Sequence, residues 1–201
     1  MSIRVITPPE PFVAPTDIAG DHAADDLKVT AMIAAATEEL DGYTGWLGRC
    51  LAPQLLEWSL DRWPVQGYSL PIGPVLEIEG VEYVDHLGVT QPWAYPSPLY
   101  FENVPTLRGR AGDLRIRYWA GYGSRNAQDA TRWDEQVPAR VKQAVIMSVQ
   151  HMKALSAENL FIRSEAVDGV GTTTYTVSEQ AGQIIEATAK RLLSGLKVRR
   201  I

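Results

Sequence analysis

Lys28–Leu47, KVTAMIAAATEELDGYTGWL, is the stretch whose reading decides the fold. Val29, Ile33, Ala36, Leu40, Tyr43 and Leu47 recur at steps of four and three, which lays them along one face of a helix. Asp25 and Asp26 precede the run, where carboxylates suit the orphan N–H groups of a first turn. Gly42, Gly45 and Gly48 crowd the far end and favour a stop. The helix is therefore predicted over about 25–45. Its middle, Ala34–Ala36, is too small to fill space alone, so other elements must come close to it.

After this helix the apolar period changes from 3.6 to 2. In Gln54–Asp61, Leu56, Trp58 and Leu60 point one way and Glu57, Ser59 and Asp61 the other. Residues 62–68 contain Pro64 and Gly67 and form a connection. Pro74 starts the next strand, Val75–Asp85, which alternates in two segments that are out of phase. Gly80 sits where the phase slips, which predicts a β-bulge. His86–Gly88 is a turn, and Val89–Ala94 returns antiparallel. Prolines 96, 98 and 105 leave room only for a short strand at Leu99–Phe101. Asp113–Ala120 is the clearest strand: Leu114, Ile116 and Tyr118 face inward, and Arg115, Arg117 and Trp119 face the other side. The β lobe thus spans about 54–120.

Gly121–Trp133 reads as a polar loop. A second helix, 138–155, opens with Pro138 at its first position. Val141, Val145, Ser148, Met152 and Leu155 form its stripe, widened by Ala144, Ile146 and Val149, so it is contacted on more than one side. Arg163–Val177 is rich in Gly and Thr and reads as a mobile loop or an exposed hairpin. Ser178 caps a third helix, 179–195, with Ile185, Ala189, Leu192 and Leu196 on one side. Residues 1–24 read as an extended arm rather than a packed element, because Pro8, Pro9, Pro11 and Pro15 deny a helix. The fold class is α+β: a small bundle of three main helices with an antiparallel β lobe inserted between the first two, over 25–201.

The chain has 201 residues, 45% hydrophobic and 21% charged, enough for one sizeable core. No apolar run approaches the roughly 20 residues of a membrane helix, and the first residues lack the apolar region of a secretion signal. Synthesis in the cytoplasm, with no membrane partner, is the expectation. The net charge of −5 argues against a dedicated nucleic-acid binder. Six tryptophans and eight tyrosines, most of them between positions 43 and 133, serve either cross-strand packing or a contact surface.

A search for chemistry yields no catalytic, cofactor-binding or metal-binding residue. Cys50 is the only cysteine and reads as a buried apolar filler. His22, His86 and His151 lack metal-ligand spacing, and the aspartates at 17, 21, 25 and 26 lack the spacing of a calcium loop. Gly169-Val-Gly171 opens no helix and is discounted as a nucleotide loop. Glu38, Glu39 and Asp41 splay apart on a helix and cannot pair as acid and base without outside help. The expectation is that the chain is not an enzyme and takes no cofactor.

Several stretches together resemble one family. Ile33-Ala-Ala-Ala-Thr-Glu-Glu-Leu-Asp-Gly-Tyr-Thr-Gly45 is similar to the first helix of tailed-phage head–tail connector (adaptor) proteins, including those of phage-derived gene transfer agents. Leu70-Pro-Ile-Gly-Pro-Val75 with Ile78-Glu-Gly-Val-Glu-Tyr-Val-Asp85 resembles their strand pair. Leu114-Arg-Ile-Arg-Tyr-Trp-Ala-Gly-Tyr-Gly123 and Val137-Pro-Ala-Arg-Val-Lys-Gln-Ala144 continue the match. Leu192-Leu193 resembles the usual ending, although the Pro-Tyr-Arg that normally follows is here Ser-Gly-Leu. The resemblance covers about residues 27–196, and the long start before residue 25 departs from it.

The resemblance implies a structural subunit in the neck of a virion or phage-like particle, made in the bacterial cytoplasm. About a dozen copies would form a ring below the portal, extend the DNA channel without reading sequence, and offer tail terminator or stopper proteins a docking surface. It further implies that the C-terminal segment meets the portal, here Leu192, Leu196, Lys197, Arg199, Arg200 and Ile201. Another tail-side component of such a particle, or a small enzyme, are the alternatives.

Overall fold

The computed structural model describes residues 2–60, 70–85, 87–93, 112–157, 164–167, 171–174 and 179–198. The chain divides into two compact units. One comprises Met1–Phe12, Asp41–Val137 and Val198–Ile201, and the other Val13–Leu40 and Pro138–Lys197. The β lobe is thus inserted between the first two helices, as the α+β reading requires.

The first unit is built on a five-stranded antiparallel sheet. Its strands are β1 (Ser2–Thr7), β2 (Gln54–Leu60), β3 (Val75–Val84), β4 (Thr90–Pro92) and β5 (Gly112–Ala120), in the order β1-β2-β5-β3-β4. Alternation explains the core. Leu56, Trp58 and Leu60 of β2 and Leu114, Ile116 and Tyr118 of β5 lie on one face, buried with Ile72, Ile78, Val81 and Cys50. Cross-strand registry puts Trp58 opposite Ile116 and Leu56 opposite Tyr118. The register of β3 against β5 slips between Ile78 and Gly80, which is the predicted bulge. Gly121, just after β5, has φ +135, and a Cβ there would lie 2.3 Å from the carbonyl oxygen of Ala52. Only glycine lets the chain leave the sheet by this path.

Two expectations change here. Residues 1–24 are extended at their start but are not an unpacked arm: Ser2–Thr7 is an edge strand on β2, and Phe12, Val13 and Ile18 are buried. The partner of β1 lies some fifty residues away, so no local pattern announces the pairing. The polar loop 121–133 contains strand β6 (Gly123–Arg125), which pairs with β7 (Trp133–Glu135) to make a hairpin. Its turn is built by side chains, with Asn126 Oδ1 accepting from the N–H groups of Gln128 and Asp129 at 2.9 and 2.8 Å. The short strand expected at 99–101 lies outside the described residues.

The second unit holds α1 (Leu27–Leu40), α2 (Ala139–Ala157) and α3 (Glu179–Leu193). Asp26 caps α1, its Oδ1 accepting from Lys28 N at 2.8 Å and Val29 N at 3.2 Å. Val29, Ile33 and Ala36 are buried as predicted, but Ala34 and Ala35 are exposed. The helix stops at Leu40, earlier than its apolar period suggests, because Gly42 takes φ +78. Tyr43 is consequently off the helix and 46% exposed. Within this unit α2 packs against both α1 and α3. Val141, Ala144, Val145 and Val149 form its buried stripe, which is the double contact that the wide apolar band requires. Strands β8 (Ser164–Val167) and β9 (Gly171–Thr174) pair as a hairpin, the second of the two readings given to 163–177. After Leu193 the chain tightens into a 3-10 turn, Ser194–Leu196, past the stop expected at Gly195.

Candidate functional site

The polar side chains that looked most chemical are occupied structurally. Asp41, at the exit of α1, accepts from Leu51 N at 2.6 Å through Oδ1 and from Gln54 Nε2 at 2.8 Å through Oδ2. Burial pushes its carboxyl above the ordinary value, against the pull of these hydrogen bonds. It staples the turn that follows the helix, while Glu38 and Glu39 are exposed. His22 donates from Nε2 to the Pro15 carbonyl at 2.7 Å, and its Nδ1 accepts from Lys153 Nζ at 2.8 Å. That arrangement ties the segment before α1 to α2. Cys50 is fully buried, and burial drives its thiol far up. Among the described residues no three His, Cys, Asp or Glu side chains gather to hold a metal ion. Nor is any described helix long and apolar enough to cross a membrane. His86 and Gly169 lie outside the described residues.

The second face of the sheet is the more informative surface. Alternation places Arg4 of β1, Glu57 of β2, Arg117 of β5 and Glu82 of β3 on it. Arg4 Nε donates to Glu57 Oε1 at 2.8 Å, and Arg117 Nε donates to Glu57 Oε2 at 3.1 Å. Arg117 also reaches Glu82 at 3.5 Å. The row of charges alternates in sign across four strands. Glu57 is only 3% exposed. Burial acts to raise its carboxyl, but the two arginines prevail and hold it below the usual range. Sequence alternation placed Glu57 outward but gave no sign of its near-complete burial under two arginines.

At the other end of this face the hairpin β6–β7 is fastened to the sheet. Arg125 donates to Glu77 Oε2 from Nη2 at 2.7 Å and from Nε at 3.0 Å, and to the Ala130 carbonyl from Nη1 at 2.9 Å. Its guanidinium lies 4.1 Å from the centre of the Trp133 ring, and Trp133 meets Trp119 at 5.8 Å. The arrangement is a cation–π contact braced by an ion pair. The aromatics thus divide. Trp58 and Tyr118 fill the core, while Trp119 and Trp133 build a half-exposed patch on the opposite side.

The residues expected to meet a portal are scattered by burial. Leu196 is buried, Leu192 is half-buried and Lys197 is exposed. Arg199, Arg200 and Ile201 lie outside the described residues. Val198 N donates to the Leu47 carbonyl at 3.0 Å, which fixes the chain just before them.

No protein-family model matches the chain, and no curated protein is similar to it in sequence. Solved structures are similar in fold. A chain in the neck of a native gene transfer agent (GTA) particle, computed with C12 symmetry, superposes with a TM-score of 0.59 at 18% identity. The alignment covers 100% of this chain and 97% of that one. Chains in the virion of a native gene transfer agent and in the neck of an empty particle computed with C6 symmetry give 0.60 at the same identity and coverage. The chain therefore shares its fold with chains of gene transfer agent particles.

Proposed function

We propose that this chain is a structural head–tail connector subunit that assembles as a ring in the neck of a phage-like particle. The observation that carries this reading is the full-length fold similarity to neck chains of gene transfer agent particles. The C12 symmetry of one such neck supports a ring of twelve. A ring contact is heterologous, so two different surfaces of each subunit must match. The charged and aromatic sheet face and the exposed edge of β1 are available for that purpose. The acidic balance suits a channel through which DNA slides, since like charge avoids trapping phosphates. The subunit makes and breaks no bond and needs no cofactor.

The portal lies above the ring and tail proteins lie below it. The segment that meets the portal is the basic tail beyond Val198, because Leu196 is committed to its own unit. Truncation of 199–201 tests this. The shortened chain keeps its fold by circular dichroism and loses most of its co-sedimentation with portal or particles. Unchanged binding removes the docking assignment. An image of the parent particle with this chain located away from the neck, or turnover of a small molecule by the isolated chain, removes the whole reading.

A further inference from the structure

The first strand is attached to the sheet in an unusual way. Of its six residues only Ile3 packs against the apolar core, while Val5 is 53% and Ile6 40% exposed. What holds β1 is the backbone ladder with β2 and the ion pair from Arg4 to Glu57. The next residues, Pro8-Pro9-Glu10-Pro11, are mostly exposed and cannot form a helix or a sheet ladder. Phe12 beyond them is buried and keeps the rest of the chain at home. The strand is therefore a detachable element on a short proline-rich hinge.

The requirement on the other side is strict. Without a strand alongside, β2 presents an open ladder, and Glu57 loses both the Arg4 partner and the cover that β1 gives it. Some copy of β1 must therefore sit there, but the contacts do not specify which copy. Exchange preserves the ladder of β1 with β2 and the ion pair from Arg4 to Glu57. At about 3.1 Å per residue of extended proline-rich chain, the four-residue hinge spans roughly 12 Å, which limits exchange to an adjacent copy.

We propose that in the assembled ring Ser2–Thr7 of each copy pairs with β2 of the next copy, so that every subunit donates one strand and receives one. This rests on the ring reading above. It supplies the heterologous contact that reading needs, with a fixed direction around the ring.

Ser2 stands opposite Ser59 on the face that carries Arg4 and Glu57. The double variant Ser2→Cys/Ser59→Cys is assembled into rings, oxidised mildly, and separated under denaturing, non-reducing conditions. Exchange gives a ladder of covalent multimers holding most of the protein, and wild type, with Cys50 buried, gives none. A second sample co-assembles chains carrying Ser2→Cys alone with chains carrying Ser59→Cys alone, and exchange gives covalent dimers. Cross-links confined to single chains overturn the exchange and leave the ring standing. Absence of any disulfide also overturns it, since Ser2 then faces Ser59 in neither arrangement. If no ring forms at all, the exchange and the ring reading fall together.

Discussion

The two faces of the same five strands are held by different physics. On one face Trp58, Ile116, Tyr118 and their neighbours pack as a buried apolar cluster. On the other, Glu57 is buried to a similar degree by arginines from the strands on either side of it. Burial is thus no guide to what stabilises a side chain. The apolar face gives cohesion that hardly depends on pH or salt. The charged face gives registry, since Arg4 and Arg117 meet Glu57 only when β1, β2 and β5 are correctly aligned.

That contrast can be broken by substitution. Trp58→Ala is expected to cost about 3–5 kcal/mol in urea unfolding, and to speed thiol labelling of Cys50 in proportion. Glu57→Gln is expected to cost less, roughly 1–3 kcal/mol, because one oxygen still accepts. Equal losses from the two variants would mean that the faces do not differ as described.

The pH response sharpens the contrast further. The folded Glu57 carboxyl is depressed, so its contribution is fully present above the ordinary glutamate value, about 4.3. It is lost as pH falls from there through the lower folded value. Amide exchange in β1, taken relative to its intrinsic rate at each pH, is expected to accelerate over that acid range, and Glu57→Gln is expected to flatten the response. Acceleration that persists in the variant would assign the acid sensitivity elsewhere. The smallest effect is expected from Arg125→Ala at the half-exposed hairpin, about 0.5–1 kcal/mol. Its signature is a change in tryptophan fluorescence from Trp119 and Trp133 with little shift in the urea midpoint.

The apolar face was legible in the sequence because its signal is local. Leu114, Ile116 and Tyr118 alternate within five residues, and the phase slip at Gly80 announces its own bulge. The charged face was half legible. Alternation placed Arg115, Arg117 and Glu57 outward, but nothing local says that Arg4, more than fifty positions from Glu57, will cover it. The hairpin at 123–135 was missed because its strands are three residues long and its turn is made by side-chain hydrogen bonds, not by a glycine pair. The end of α1 was overrun because Tyr43 and Leu47 keep the helical period after Gly42 has left it. Of the C-terminal candidates, the period correctly marked Leu196 as inward, which is also why it is a poor surface residue.

The insertion of the sheet unit between α1 and α2 has a consequence for synthesis. Everything from Asp41 to Pro138 leaves the ribosome after α1 and before its packing partner. At roughly 5–20 residues per second, that delay is on the order of 5 to 20 seconds. During that interval Val29 and Ile33 have no α2 to cover them. The helical half of the molecule is therefore completed last, and the nascent chain carries an uncovered apolar stripe while its other half takes shape.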